Sequence, residues 1–170
     1  MSIYSSIFQS PIGGLQIKAT DSHILSVLFL NTLKNPHSQS DEQQAEEIDM
    51  PLIAICKTQL IEYFKGIRTT FDLPLFQQGT TFQQQVWQTL SGITYGKTIS
   101  YLELSKRINN VKAIRAVGTT NGKNLINIII PCHRVIGSTG NLTGYSGELW
   151  RKKWLLDHEA KFANGVQLLF

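Results

Sequence analysis

The sequence predicts an α+β protein of two domains, a small α/β domain at residues 1–78 and a helical domain at residues 79–170. Apolar residues alternate near the N-terminus, as they do in antiparallel strands. Later segments repeat apolar residues every three or four positions, as amphipathic helices do. The stretch "FDLPLFQQGTT", which contains Pro74 and Gly79, has the composition of a junction between domains.

The first domain is expected to contain a short antiparallel sheet followed by one helix. The turn sequences "SPIGG" and "TDSH" divide residues 5–30 into two or three strands. Residues 31–50 are polar and lack a sustained apolar period, which indicates a surface loop. A helix ending near Gly66 follows, because apolar residues take helical spacing at Ile53, Cys56, Leu60 and Tyr63 or Phe64. The thiol of Cys56 then belongs to the core.

The second domain is expected to begin with a helix over "TFQQQVWQTLSGI". Ser100, with Glu103 three residues later, forms a capping box that places the start of the next helix at Tyr101. After the turn "NNV", a second short helix covers "KAIRAVGTTNG" and ends at Gly122. Two short helices joined by a tight turn resemble a helix-turn-helix. Helical spacing also predicts core positions for the tryptophans, Trp87, Trp150 and Trp154.

Charge is distributed unevenly between the two halves. Residues 1–78 hold 5 Lys/Arg and 8 Asp/Glu, whereas residues 79–170 hold 11 Lys/Arg and 4 Asp/Glu, a net charge of +7. This asymmetry favours an anionic partner, with nucleic acid as the leading candidate, although an ordinary basic surface would give the same count. On the second short helix, Arg115 has small neighbours in Ala116 and Gly118. Such a helix face can press into a groove while the arginine probes the base stack.

A thiol, an imidazole and a guanidinium are adjacent in "NIIIPCHRVIG". The β-branched run "LINIIIPC" predicts a buried strand that delivers Cys132 at or past its end. An ordinary thiol has a pKa of about 8.5, so a nucleophilic cysteine needs a partner that favours the thiolate. His133 is the nearest candidate base. A water relay is the easier geometry, because adjacent side chains of an extended segment point to opposite faces.

An imidazole that accepts a proton is normally oriented by a carboxylate. Within the helix predicted over "ELWRKKWLLDHEA", Glu159 is a candidate, and spacing alone leaves Asp157 open as well. The preceding loop, "GSTGNLTGYSG", holds four glycines that can bring backbone amides close to a flat ligand. There Tyr145 offers a stacking face and Ser146 a hydroxyl, unless the loop is a plain flexible connector.

The sequence lacks the features of exported and membrane proteins. No apolar run approaches the about 20 residues that a membrane span needs, and the N-terminus has no basic region followed by an apolar segment. We expect a cytoplasmic protein without a membrane partner, or a nuclear one if the host is a eukaryote. In such a compartment Cys56 and Cys132 are free thiols, and no histidine stands at a spacing that indicates a metal site.

These motifs resemble those of the methylated-DNA-protein-cysteine methyltransferases, the O6-alkylguanine-DNA alkyltransferase family, over essentially the whole chain. The most specific of them are "PCHRV", "GYSG" and "WLLDHE". The resemblance implies a ribonuclease-H-like α/β N-terminal domain and a helical C-terminal domain with a winged-helix-like helix-turn-helix. It also implies the single-function type, without a regulatory domain and without the N-terminal zinc ligands of some relatives.

The resemblance implies DNA repair by direct alkyl transfer. A methyl or other alkyl group on O6 of guanine, or O4 of thymine, in double-stranded DNA would move irreversibly to Cys132. The protein would act once, as a monomer and without a cofactor. The base would be flipped out from the minor-groove side, because a buried thiol cannot reach it within the stack.

The resemblance also implies roles for individual residues in catalysis. His133, held by Glu159, would remove the thiol proton through water. Tyr101, with Lys152 nearby, would donate to the departing guanine, and Asn124 would brace the loop around the site.

For DNA binding, the resemblance places the second short helix, with Ala116 and Gly118, in the minor groove. Arg115 would fill the gap left by the flipped nucleotide, and Tyr101 would rotate the adjacent phosphate. The carbonyls of Cys132 and Val135 would accept from the exocyclic amine of guanine. The loop of Tyr145 and Ser146 would cover the base, with Ser146 facing the alkylated oxygen.

Three positions depart from the usual family pattern. Leu125 stands where proline is common, Glu148 where glycine is common, and Ile114 where a small residue usually precedes the arginine. Glu148 adds negative charge near DNA and Ile114 adds bulk to the helix. Both are expected to lower affinity or to change the preference for alkyl size.

Two other classes of function remain open from the sequence. A non-catalytic DNA-binding sensor on the same scaffold is disfavoured by the presence of Cys132. A thiol hydrolase using Cys132 and His133 is disfavoured because no oxyanion-hole motif accompanies them.

Overall fold

The computed structural model describes residues 1–30 and 50–164. The chain folds as two compact units, Met1–Gln77 and Gln78–Phe170. The mixture of sheet and helix agrees with the predicted α+β class. The surface loop predicted at residues 31–50 lies outside the described residues except for Met50. No helix within residues 1–30 and 50–164 is long and apolar enough to cross a membrane.

The first unit is an antiparallel sheet packed against one helix. Strands β1 (Tyr4–Ser10), β2 (Gly13–Ala19) and β3 (Ile24–Phe29) pair in sequence order, as predicted from the two turn sequences. Helix α1 (Pro51–Phe64) contacts β1 and β2 with its apolar face. Cys56 is fully buried on that face, and burial raises the pKa of its thiol to about 12. It is therefore an unreactive core residue, as expected.

The second unit is mainly helical. Its helices are α2 (Thr81–Leu90), α3 (Tyr101–Arg107), α4 (Ile114–Gly122) and α5 (Leu149–Asn164). Two-residue strands β4 (Ile99–Ser100) and β5 (Val135–Ile136) pair in parallel. Helices α3 and α4 contact each other across a short 3-10 turn at Val111–Ala113, which is the predicted pair of short helices.

Local capping determines where α3 begins. The hydroxyl of Ser100 accepts a hydrogen bond from the backbone N–H of Glu103 at 3.0 Å, so the helix starts at Tyr101 as predicted. The predicted capping box is only half formed in the described part of the chain, because the carboxylate of Glu103 turns to Arg107, 3.4 Å from its Nε, instead of returning to Ser100. This placement leaves the Tyr101 side chain at the first turn of the helix, next to α4.

The strand predicted over "LINIIIPC" is wrong, although its apolar residues are buried. The segment folds into consecutive turns, and Ile128 has a φ of 71°. The side chain of Asn124 causes this, because its Oδ1 accepts from the N–H of Ile126 and its Nδ2 donates to the carbonyls of Ile126 and Ile130. The asparagine side chain thus gives the nearby backbone N–H and carbonyl groups the hydrogen bonds that a neighbouring strand would otherwise supply.

The core position predicted for Trp150 is also wrong. Trp87 is buried and Trp154 is half-buried, but Trp150 is 51% exposed. Its indole Nε1 donates to a carboxylate oxygen of Glu148 at 2.8 Å, and the guanidinium of Arg151 lies 4.6 Å from the ring centre. The indole N–H and the ring of Trp150 therefore have polar partners at the surface. Helical spacing alone cannot predict such partners.

Candidate active site

Cys132 lies at the start of a 3-10 turn, Cys132–Arg134, immediately before β5. The preceding turns, built around Asn124, deliver it there. Its side chain is 2% exposed, and Sγ lies 3.9 Å from Oδ1 of Asn127. The turn, rather than an extended strand, brings His133 and Arg134 back toward the same interior. The site is thus a folded loop held between α4 and α5.

The environment of Cys132 keeps it largely protonated. Burial raises the pKa of its thiol. A hydrogen bond from Asn124 and the positive charge of Lys152 act in the opposite direction, without cancelling the effect of burial. The sulfur therefore needs a nearby base to remove its proton at the moment of reaction.

His133 is positioned by a buried carboxylate. Its Nε2 lies 2.6 Å from Oε1 of Glu159, and both side chains are at most 1% exposed. Asp157, the alternative left open by the sequence, is exposed and pairs with Lys153 instead. Among the described residues, Nδ1 of His133 has no hydrogen-bond partner although it is buried.

Glu159 is shared between His133 and Arg134. The guanidinium donates from Nε to Oε2 at 2.8 Å and from Nη2 to Oε1 at 3.0 Å. Burial alone would raise the pKa of Glu159, but attraction to His133 and hydrogen bonds from both partners outweigh it and hold that pKa well below its usual range. An ionised Glu159 only accepts, so Nε2 of His133 carries the proton that faces it, which leaves Nδ1 as the ring atom that can exchange a proton with the rest of the site.

Lys152 lies on the other side of the site. It is fully buried, and its Nζ donates to the carbonyls of Val135 at 2.6 Å and Thr143 at 2.7 Å. Burial lowers its pKa to about 8, against an opposing effect of Cys132. The hydroxyl of Tyr101 donates to the same Thr143 carbonyl at 3.1 Å. Tyr101 and Lys152 therefore meet at one acceptor.

The glycine-rich loop contributes Tyr145 and Ser146. Tyr145 is 5% exposed, and its hydroxyl has no hydrogen-bond partner within the described parts of the chain. Burial and the proximity of Cys132 raise the pKa of that hydroxyl well above its ordinary value. Ser146 is half-buried. The aromatic ring thus belongs to the wall of the site.

The two sides of helix α4 differ in their exposure to solvent. Arg115 and Ala116 are exposed, and Gly118 is partly exposed beside the ring of Tyr101. Six residues after Arg115, Asn121 is buried and donates from Nδ2 to the carbonyl of Cys132 at 3.3 Å. One helix therefore joins an exposed cationic surface to the main chain of the cysteine.

Two family models match the chain. The model described as 6-O-methylguanine DNA methyltransferase, ribonuclease-like domain, matches residues 3–77, and the DNA binding domain of the same enzyme matches residues 81–161. The chain belongs to the methylated-DNA-protein-cysteine methyltransferase family. This membership confirms the resemblance and the predicted fold class, with a ribonuclease-like first domain.

Individual members of the methyltransferase family resemble the chain along most of its length. The constitutive enzyme of Bacillus subtilis is 43% identical over 144 residues, covering 85% of this chain and 87% of that protein. The crystal structure of the Mycobacterium tuberculosis O6-methylguanine methyltransferase is 39% identical, with a TM-score of 0.86 and 99% coverage of both chains. M. tuberculosis OGT in complex with DNA has a TM-score of 0.82 and 39% identity, covering 98% of this chain and 99% of its own.

Three residues near Cys132 were not assigned a role from the sequence. Arg134 binds Glu159, Asn127 lies against the sulfur, and Asn121 binds the Cys132 carbonyl. A polar residue inside the run "LINIIIPC" was a usable signal for Asn127, because a buried amide must find partners. The partners of Arg134 and Asn121 are 25 and 11 residues away, so no local pattern identifies them.

Proposed function

We propose that this protein repairs DNA by transferring a methyl or other alkyl group from O6 of guanine, and from O4 of thymine, to Sγ of its own Cys132. The observation that carries the proposal is a buried cysteine next to an imidazole–carboxylate pair, in a member of the methyltransferase family. The substrate is double-stranded DNA, bound by a monomer wherever the cell keeps its DNA, in the cytoplasm or, in a eukaryote, the nucleus.

The reaction is one displacement. Nδ1 of His133 takes the proton of the Cys132 thiol through a bridging water, while Glu159 stabilises the imidazolium that results. The sulfur attacks the alkyl carbon, so that a carbon–sulfur bond forms and the carbon–oxygen bond to guanine breaks. The electron pair leaves with the base.

The departing guanine gains negative charge and needs a donor. Tyr101 supplies it by turning its hydroxyl from the Thr143 carbonyl to the base, while the Lys152 ammonium remains on that carbonyl and maintains the local positive field. Asn124 supports this geometry by holding the turns that precede Cys132.

The remaining residues of the site act in DNA binding and base flipping. Because Cys132 is 2% exposed, the alkylated base must leave the helical stack to reach it. The exposed side of α4, with Ala116 and Gly118, enters the minor groove and Arg115 fills the vacated position. The base then lies between the Cys132–Val135 backbone and the loop of Tyr145 and Ser146.

The product is a thioether, from which no group on sulfur is easily expelled. The protein therefore reacts once per molecule and requires no cofactor. This property separates it from a hydrolase, which would release its product and turn over.

The test is to incubate the protein with a duplex that carries a labelled methyl group on O6 of guanine. We expect the label on the tryptic peptide of Cys132, in a one-to-one ratio, and none on a Cys132→Ser variant that still binds the duplex. Binding without label would instead indicate a sensor, and turnover of a thioester would indicate a hydrolase. An unmodified Cys132 peptide after exposure to excess lesion-bearing duplex would overturn the proposal.

A further inference from the structure

The loop that contributes Tyr145 to the wall of the site is bonded to the first turn of α5. Gly147 is buried, and its carbonyl accepts from Nη1 of Arg151 at 3.2 Å. The backbone N–H of Glu148 donates to the carbonyl of Tyr145 at 3.1 Å, which closes a tight turn at the end of the loop. Arg151 also lies close enough to Tyr145 for its charge to oppose the effect of burial on the pKa of that hydroxyl. The helix therefore holds this wall through Arg151.

Trp150 covers the guanidinium that makes this contact. The Arg151 guanidinium lies 4.6 Å from the centre of the Trp150 ring, within the range of a cation–π contact. Arg151 is buried, whereas half of Trp150 is exposed, so the ring lies between the guanidinium and solvent. A hydrogen bond shielded from water in this way is stronger than an exposed one. Trp150 therefore stabilises the bond from Arg151 to Gly147.

Trp150 also stabilises an unfavourable backbone conformation. Glu148 has a φ of 78°, which a residue with a side chain rarely adopts unless its surroundings hold it there. The indole Nε1 of Trp150 donates to Oε2 of Glu148 at 2.8 Å. One surface tryptophan thus holds two consecutive residues at the end of the loop, Glu148 directly and Gly147 through Arg151.

A loop held in this way limits the space beside the sulfur. Cys132 and Tyr145 are both buried, so the wall is packed close to the thiol. A methyl group brings one carbon to Sγ, whereas a longer alkyl group must move the wall outward. That movement has to break the contacts that Arg151 and Trp150 make with the loop. The barrier to transfer of a large group therefore rises with the strength of these contacts.

We propose that Trp150 is a positioning residue that restricts the size of the alkyl group accepted by Cys132, an inference that rests on the proposed function. Trp150 acts through Arg151 and Glu148, and its own ring stays at the surface. Without it, the end of the loop yields more easily, and larger alkyl groups are transferred more readily relative to methyl.

The first measurement is single-turnover transfer from two duplexes of one sequence, one with O6-methylguanine and one with O6-butylguanine. DNA binding and base flipping are common to both, so the ratio of the two rates reports on the alkyl group. Trp150→Ala should raise the butyl rate relative to the methyl rate about tenfold, with the methyl rate changed by less than about twofold. Trp150→Phe keeps a ring over Arg151 but loses the bond to Glu148, so its ratio should lie between those of Trp150→Ala and wild type.

Leu149→Ala is the matched control, because Leu149 is an exposed apolar neighbour in the same turn of α5. It should keep the wild-type ratio. If Trp150→Ala leaves the ratio unchanged, or slows transfer from both duplexes equally, Trp150 has no part in selecting the alkyl group and the inference is overturned.

Amide hydrogen exchange tests the same contacts without the reaction. Trp150→Ala should speed exchange in the peptide that contains residues 145–148, and Leu149→Ala should not. Unchanged exchange in Trp150→Ala would contradict the inference even if alkyl transfer is observed. If wild type transfers an alkyl group from neither duplex, the proposed function itself fails, whatever the exchange shows.

Discussion

The Nε2 atom of His133 lies 2.6 Å from Oε1 of Glu159, in a part of the protein that solvent does not reach. The same carboxylate binds Arg134 through two N–H groups. Glu159 therefore has two tasks. It fixes the orientation of the imidazole, which in the proposed reaction accepts a proton at Nδ1, and it balances the charge of a buried guanidinium.

Replacing Glu159 with Gln should impair both tasks. The buried charge of Arg134 would lose its partner, and we expect the free energy of unfolding to fall by about 3 kcal/mol. The rate of alkyl transfer should fall about 100-fold, because the imidazole loses its orientation and its stabilising charge. Urea unfolding and a single-turnover assay measure the two effects. Asp157→Asn, an exposed acid two residues away, is the control and should change neither by much.

The depressed pKa of Glu159 predicts how stability depends on pH. In the unfolded chain this carboxyl takes up a proton near its ordinary pKa of about 4.3, whereas in the folded protein it remains ionised to lower pH. Below about pH 4.3 the unfolded state therefore binds more protons, and stability falls as pH falls. The stability difference between wild type and Glu159→Gln should shrink from pH 6 to pH 3. A constant difference would show that folding does not lower this pKa.

The rate of alkyl transfer should depend on the protonation of Lys152. Its pKa of about 8 means that the ammonium loses its charge above that pH, and with it the effect that lowers the pKa of Cys132. The thiolate fraction of Cys132 grows with pH, and the transfer rate with it, but this rise should flatten near pH 8, where the ammonium loses its charge. Lys152→Met should be about tenfold slower at pH 7, equivalent to one pKa unit of the thiol, and should lack this break. Lys153→Met, an exposed neighbour, should keep it.

Features fixed by neighbouring residues were predictable from the sequence. The start of α3 at Tyr101 follows from the Ser100 hydroxyl and the N–H of Glu103, three positions apart. The burial of Cys56 follows from the apolar period of α1. The start of α3 is determined by a hydrogen bond within the segment itself. The burial of Cys56 is determined by one continuous apolar face of α1.

Features that depend on long-range partners were not predictable in the same way. Apolar composition indicated a strand before Cys132, but the side chain of Asn124 supplies local hydrogen bonds that favour turns. Helical spacing placed Trp150 in the core, but it cannot tell which face of α5 meets solvent. The carboxylate shared by His133 and Arg134 is a property of the folded chain alone.

Glu148 occupies a conformation that favours glycine. Its φ is 78°, in the left-handed region where a side chain is strained and glycine is not. Glu148→Gly should therefore be more stable than Glu148→Ala by about 1 kcal/mol in thermal or urea unfolding. Both variants lose the bond from Trp150, so the comparison isolates the backbone. At exposed Lys153, within α5, the order should reverse, with alanine favoured by about 1 kcal/mol.

The exposed Arg115 should matter only when a base has to leave a duplex. Arg115→Ala removes the exposed side chain that we propose fills the vacated position, so transfer from O6-methylguanine in a duplex should slow by at least about tenfold. Transfer from the free base O6-methylguanine needs no flipping and should proceed at the wild-type rate. Lys112→Ala, another exposed cation near the start of α4, should weaken binding to damaged and undamaged duplexes alike, through a lost phosphate contact. If Arg115→Ala slows transfer from the free base and from the duplex equally, the side chain supports the structure of the site and has no role in base flipping.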